Sequence, residues 1–180
     1  MNKRQKGFSL IELLIVVAII LIIAAIAIPN LMRAKMAANE ASAVGSVRTI
    51  VTADVTYSST YDSGFAPTLA DLSGAAGAAA TCTGSQLLDP TFLGGPPAVK
   101  SGYNFTYAAA SPSNVPTNGC GLTVDLNTFD VIGYPVTVGT TGQRAFCDDQ
   151  SGAIMFDPSG TKVTAAGLSC SADGYTLPLQ

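Results

Sequence analysis

In the string Gly7-Phe8-Ser9-Leu10-Ile11-Glu12-Leu13-Leu14 a single carboxylate, Glu12, interrupts the front of a long apolar run. A carboxylate in a membrane segment costs roughly 2.5 to 3.5 kcal/mol near the bilayer centre, and less near the edge where Glu12 would lie, so its position calls for a cationic partner. The nearest bases, Arg4 and Lys6, belong to the hydrophilic leader MNKRQKG that ends in Gly7. A cut after Gly7 would free an ammonium on Phe8, four residues before Glu12, and an acid at a helix N-terminus is also favoured by the unpaired N–H groups there. Within one chain that pairing is weak, because both charges sit at the aqueous edge. Between chains it becomes a docking rule: Glu12 of an incoming copy neutralises the Phe8 amine of its neighbour inside an apolar bundle, where an unpaired charge is expensive.

Little else in the chain offers reaction chemistry. It has no histidine, which removes Ser-His and Cys-His nucleophile pairs, and its Asp residues are scattered at turn-like positions. Cys82, Cys120, Cys147 and Cys170 form an even set without a C-x-x-C pair, so zinc and c-type haem patterns are absent and disulfides are expected, with three connectivities open. Asp148 and Asp149 beside Ser151 supply oxygens of the kind calcium takes, but their spacing matches no EF-hand loop, and a solvated turn without a metal is the expectation. Asn104-Phe105-Thr106 fits the glycosylation acceptor yet falls in an expected strand. Tyr57, Tyr61 and Phe65 read as core or head-contact residues. No catalytic residue, cofactor or metal ligand is expected, and the chain reads as a structural subunit, not an enzyme.

The elements that must position Glu12 follow from the same run. Leu13 to Met32 carries no formal charge over twenty residues, about 30 Å of helix at ~1.5 Å rise, enough to cross a bilayer core. The leader bases Lys3, Arg4 and Lys6 ahead of this span predict a cytoplasmic leader and an exported C-terminus. Loss of residues 1–7 takes the net charge from −3 to −6, and from Thr49 onward three bases face ten Asp, which argues against nucleic-acid binding by this part. Ala25-Ile26-Ala27 fits the cleavage pattern of a secretory signal, but Glu12 would then interrupt its apolar region and Pro29 would sit just past the cut.

Beyond Pro29, which cannot donate to the carbonyl of Ala25 and should kink or loosen the helix, the pattern becomes amphipathic. Ala41, Val44, Val47, Val51 and Val55 recur at three and four residues and are expected to face a globular head, with Glu40, Ser46, Arg48 and Asp54 off that stripe. From Ser58 to Lys100 the composition turns to Gly, Ala, Ser, Thr and Pro, with helical turns expected in Pro67–Leu72 and Ser85–Leu88. Four strands are then expected around Tyr103–Tyr107, Phe129–Tyr134, Arg144–Cys147 and Ala153–Phe156, and Asp157-Pro158-Ser159-Gly160 is a type I turn signal. One long helix on a four-stranded antiparallel sheet is an α+β layout.

The basic leader, Gly7, the aromatic Phe8, the acid four residues later, the apolar run and Pro29 closely resemble the N-terminus of type IV prepilins and pseudopilins. The resemblance covers about the first fifty residues strongly and the rest in general layout. One departure is that no Gly occurs between Gly7 and Gly45, where many pilins carry one inside the helix. The resemblance implies cutting after Gly7 and methylation of Phe8 by a membrane prepilin peptidase, and assembly through Glu12 and the Pro29 region into a helical homopolymer. It also implies an inner-membrane assembly platform and a cytoplasmic assembly ATPase as partners. The precursor would sit in the bacterial inner membrane and the product in an extracellular pilus, or in a periplasmic pseudopilus of type II secretion. The alternative of another class is a membrane-anchored periplasmic binding domain that never polymerises. The expected organisation is leader 1–7, membrane or filament-core helix 8–32, amphipathic half 33–57, connecting loop 58–100 and β head 101–180. The favoured pairing joins Cys82 to Cys120 and Cys147 to Cys170, the second closing a C-terminal loop similar to the disulfide-bounded region of many pilins.

Overall fold

A computed structural model describes residues 9–61, 64–75, 77–93, 97–110, 127–161 and 169–179. Its first element is a 52-residue helix, α1 (Leu10–Tyr61). A short helix α2 (Leu69–Ser73) and a 3-10 turn (Pro90–Leu93) follow. Among the described residues six strands follow: β1 (Ala98–Lys100), β2 (Tyr103–Ala110), β3 (Thr128–Pro135), β4 (Ala145–Asp149), β5 (Met155–Asp157) and β6 (Leu177–Pro178). They form one antiparallel sheet in sequence order, each strand paired with the next. The chain divides into two compact units, Met1–Lys35 and Met36–Gln180.

In the first unit the described residues are helical from Leu10 onward, and the large aliphatic side chains from Leu10 to Met32 stand exposed. Its most apolar window of 18 residues has a mean hydropathy of 3.3 and is long enough to cross a membrane. Pro29 lies inside α1, and the helix runs unbroken through it. A proline in a helix interior costs about 3 kcal/mol, because one backbone bond is lost and the ring crowds the preceding turn.

In the second unit the Met36–Tyr61 part of α1 lies on one face of the sheet. Its buried side is Ala43, Ser46, Val47, Ile50, Ala53, Asp54 and Tyr57, so the expected valine stripe is corrected. Val47 is shared, Val44 and Val51 are partly buried at the margin, and Val55 is 54% exposed. The true stripe is rotated from the valines by about one residue, roughly 100° of helix. β-Branched residues attract the eye as core, but the sheet is met by residues at 43, 47, 50, 54 and 57, and Asp54 is carried in because it has partners there.

Alternation along the strands sorts two cores. Tyr103, Phe105, Val131 and Phe146 pack with α1, while Ile132, Ala145, Cys147, Cys170 and Tyr175 pack together on the other face. Burial on both sides explains why every residue of β4 is buried. Gly133 of β3 lets α1 come close: a Cβ there would lie 3.0 Å from the Phe105 ring and 3.3 Å from Val47. The four expected strands are present as β2 to β5, and the count is corrected to six by β1 and β6. These hold three and two residues, too few for a period-2 pattern to be legible. The turn expected in Pro67–Leu72 is α2, capped by the Thr68 side chain, whereas Ser85–Leu88 is not helical. Gly160 N–H donates to the Asp157 carbonyl in the expected turn.

Candidate functional site

The N-terminal candidate is built around Glu12. Ser9 precedes the first helical residue, and its backbone N–H donates to Glu12 Oε2 at 2.9 Å. Ser9 and Glu12 occupy the N-cap and N3 positions of a capping-box pattern, in which the acid satisfies one of the donors that a helix start leaves unpaired. A carboxylate here also meets the positive end of the helix dipole. The sequence placed the acid at a helix N-terminus among unpaired N–H groups, and the structure identifies Ser9 N–H as its donor within a Ser-x-x-Glu string. Gly7 and Phe8 lie outside the described residues, as does the whole leader. Pro29 is exposed and about 26 Å from Glu12 along α1 at ~1.5 Å per residue.

In the head a fork holds α1 to the chain before β4. Glu40 Oε1 accepts from the backbone N–H of Gln143 at 2.9 Å and of Arg144 at 3.2 Å. Its Oε2 takes Arg144 Nε at 2.9 Å and Nη2 at 2.8 Å. Burial by itself would raise the Glu40 pKa, but these donors and the guanidinium together hold it below the ordinary carboxylate value. The guanidinium also lies 5.4 Å from the ring centres of Phe146 and Phe156. One residue before Glu40, the Asn39 amide donates to the Thr141 carbonyl at 2.8 Å.

Cys147 and Cys170 form a disulfide with a Cα separation of 5.7 Å. It fastens the segment after residue 168 over the outer face of the sheet, where Cys170 and Tyr175 are fully buried. Cys82 is also disulfide-bonded, and Cys120 lies outside the described residues, so the pairing of Cys82 with Cys120 falls outside them too.

The expectation of a solvated turn at Asp148 and Asp149 is corrected. Both are in β4 and only 2% and 4% exposed. Asp149 Oδ1 accepts from Ser151 N–H and Oδ2 from Cys170 N–H, which docks the disulfide segment. Asp148 accepts from the Asp149 N–H, and burial raises its pKa to about 6, with Arg48 opposing. Glu40 and Asp54, expected off the packed stripe, are corrected to residues with head partners: Arg144 lies 104 positions from Glu40, and Tyr107 lies 53 from Asp54. Asp54 is fully buried, accepts from Ala66 N–H at 2.8 Å, and has the Tyr107 hydroxyl 2.8 Å from Oδ2.

Comparison with known proteins bears on the N-terminal site. Residues 2–28 match the family described as the prokaryotic N-terminal methylation motif. By this segment the chain is similar to proteins that carry that motif, and two relatives are named as pilus components. It is 35% identical over 127 residues to the type IV major pilin protein PilA of Myxococcus xanthus, covering 64% of this chain and 57% of that one. It is 60% identical over 38 residues to the type IV wide pilus major component PilA4 of Thermus thermophilus, covering 21% of this chain and 29% of that one. The chain thus spans between about a quarter and somewhat over half of the length of these curated relatives. No solved structure shows significant similarity to it.

The pilin-like N-terminus therefore coincides with an exposed apolar helix whose start is closed by Glu12. No group of three or more His, Cys, Asp or Glu among the described residues is placed to hold a metal ion. The grooves found in the head are shallow: one of about 310 Å³ lies along Arg48, Thr52 and Thr56 of α1, and another of about 410 Å³ beside Arg144 and Leu177.

Proposed function

We propose that this chain is the structural subunit of a type IV pilus filament, stored in the inner membrane, cut after Gly7, methylated at Phe8 and polymerised through its N-terminal helix. The observation that carries this reading is the run of exposed aliphatic side chains on α1 between Leu10 and Met32, preceded by the methylation motif. So large an apolar surface needs a bilayer or copies of itself to cover it. In the bilayer the lipid covers it. In a filament, apolar helices bury one another, and contacts that repeat without closing generate an open helical polymer. Glu12 docks against the amine freed at Phe8 of a neighbour, and the stretch before Pro29 is where the helix yields if it melts on assembly.

A prepilin peptidase, an inner-membrane platform and a cytoplasmic ATPase complete the proposed pathway. The two relatives, named as major pilus components, favour a pilus over a type II secretion pseudopilus. Organisation into leader 1–7, core helix 8–32, amphipathic half 33–57, connection 58–100 and head 101–180 is part of the same proposal.

The test is Gly7→Val together with N-terminal sequencing and electron microscopy of cells. Wild-type protein is expected to begin at Phe8 and to form surface filaments, while the variant stays as full-length precursor in the membrane. Normal processing of the variant would overturn the peptidase reading. A processed wild-type subunit that never leaves the periplasm would favour the pseudopilus, and one that never polymerises the anchored binding domain.

A further inference from the structure

Inside the head, the Tyr107 hydroxyl oxygen lies 2.8 Å from Asp54 Oδ2 and 2.7 Å from the carbonyl oxygen of Ala66. Both distances are those of hydrogen bonds, and both neighbours, when Asp54 is ionised, are acceptors. A phenol carries one proton and can serve only one of them. The other O···O contact would then be a repulsion between lone pairs in poorly solvated surroundings, since Asp54 and Ala66 are fully buried and Tyr107 is partly buried. A second proton removes the conflict.

We propose that Asp54, on taking up a proton, closes a proton-dependent latch that joins α1, the segment after it and β2. In the latch, Asp54 Oδ2–H donates to the Tyr107 oxygen, Tyr107 O–H donates to the Ala66 carbonyl, and Ala66 N–H donates to Asp54 Oδ1. The three bonds form a closed circuit in which each proton has one acceptor. Deprotonation sends the Asp54 proton to solvent, leaves the Tyr107 proton contested, and loosens the segment around Ala66 from the end of α1.

The surroundings favour the neutral form. Burial is the largest influence on Asp54 and raises its pKa to about 6, against the lowering effect of Ala66 N–H and Tyr107. The acids that act on Tyr107 from neighbouring elements, Asp71 of α2 and Asp130 of β3, push its phenol further up together with Asp54. The field across the latch is therefore negative, and no cation contributes to the Asp54 shift. This device is independent of polymerisation.

The test uses the full chain in detergent micelles, labelled with carboxyl-13C aspartate, the Asp54 signal being assigned as the one missing from Asp54→Asn. Titration of Asp54 with a midpoint near 6 is expected; a midpoint near the ordinary value of 3.8 overturns the proposal. Asp54→Asn imitates the protonated latch, since its carbonyl can accept from Ala66 N–H and its amide can donate to Tyr107. After correction for intrinsic exchange, the Ala66 amide in wild type should exchange at least several-fold faster at pH 7.5 than at pH 5, and equally at both in Asp54→Asn. Wild-type exchange that does not change between the two pH values also overturns it.

Discussion

The backbone N–H of Ser9 donates to Glu12 Oε2 at 2.9 Å, so the carboxylate that stands at the front of the apolar run is also the cap of its own helix. Local capping and the proposed docking by charge therefore fall on one side chain. They separate in Glu12→Gln and Glu12→Ala. Gln can still accept from Ser9 N–H but carries no charge, whereas Ala loses both, with a capping loss of about 0.5–2 kcal/mol. Both variants should insert and be cut normally, since removing an acid makes the segment more apolar. If charge docks the subunit, both should lose filaments, as counted by electron microscopy. Wild-type filament yield from Glu12→Gln, with loss only in Glu12→Ala, would assign the residue to capping alone.

Glu40 serves two backbone N–H groups and the guanidinium of Arg144. Glu40→Ala leaves all of these donors to find water at a half-buried site, and the head should lose about 1–3 kcal/mol in chemical denaturation. Arg144→Lys should recover only part of the stability lost in Arg144→Ala, because an ammonium cannot place two donors on Glu40 Oε2 while also reaching the Phe146 and Phe156 rings as the guanidinium does. Equal stability of the Lys variant and wild type would show the fork to be unimportant.

Stability should depend on pH in opposite directions through two acids. The folded pKa of Asp148 is raised to about 6 by burial, so its contribution is fully present below its unfolded value and is lost as pH rises through 6. Glu40 is lowered, so its contribution is present above its unfolded value and is lost as pH falls through the folded one. From pH 7.5 to pH 5 the melting temperature of wild type should rise, and Asp148→Asn should show a smaller rise. A wild-type melting temperature that falls steadily over that interval would contradict the burial argument.

The Cys147–Cys170 bridge closes 23 residues of sequence separation and holds one side of the outer core. Replacing both cysteines by Ser should cost about 2–4 kcal/mol, read from denaturant midpoints, and should raise exchange at the residue-170 amide, which donates to Asp149 Oδ2. Non-reducing mass spectrometry of wild type is expected to find no alkylatable thiol. Four reactive thiols in protein from intact cells would refute both the bridges and the exported compartment.

What the sequence determined by itself was set by contiguous chemistry. The apolar stretch of α1, the methylation-motif match that includes Gly7 and the acid at Glu12 are local strings, and the apolar stretch needs only a helix of ~1.5 Å rise and a solvent for its side chains to be read. The α+β layout and strands β2 to β5 were legible for the same reason, since each is long enough to express a period. Tertiary structure alone decided which face of α1 is buried. Gly133 lets the sheet approach Val47, and Asp54 can be interior only because Tyr107 and Ala66 meet it there. It likewise moved Asp148 and Asp149 from solvent into β4 and joined Glu40 to Arg144 across 104 positions. A buried acid is affordable only with partners, and partners distant in sequence leave no periodic trace in it.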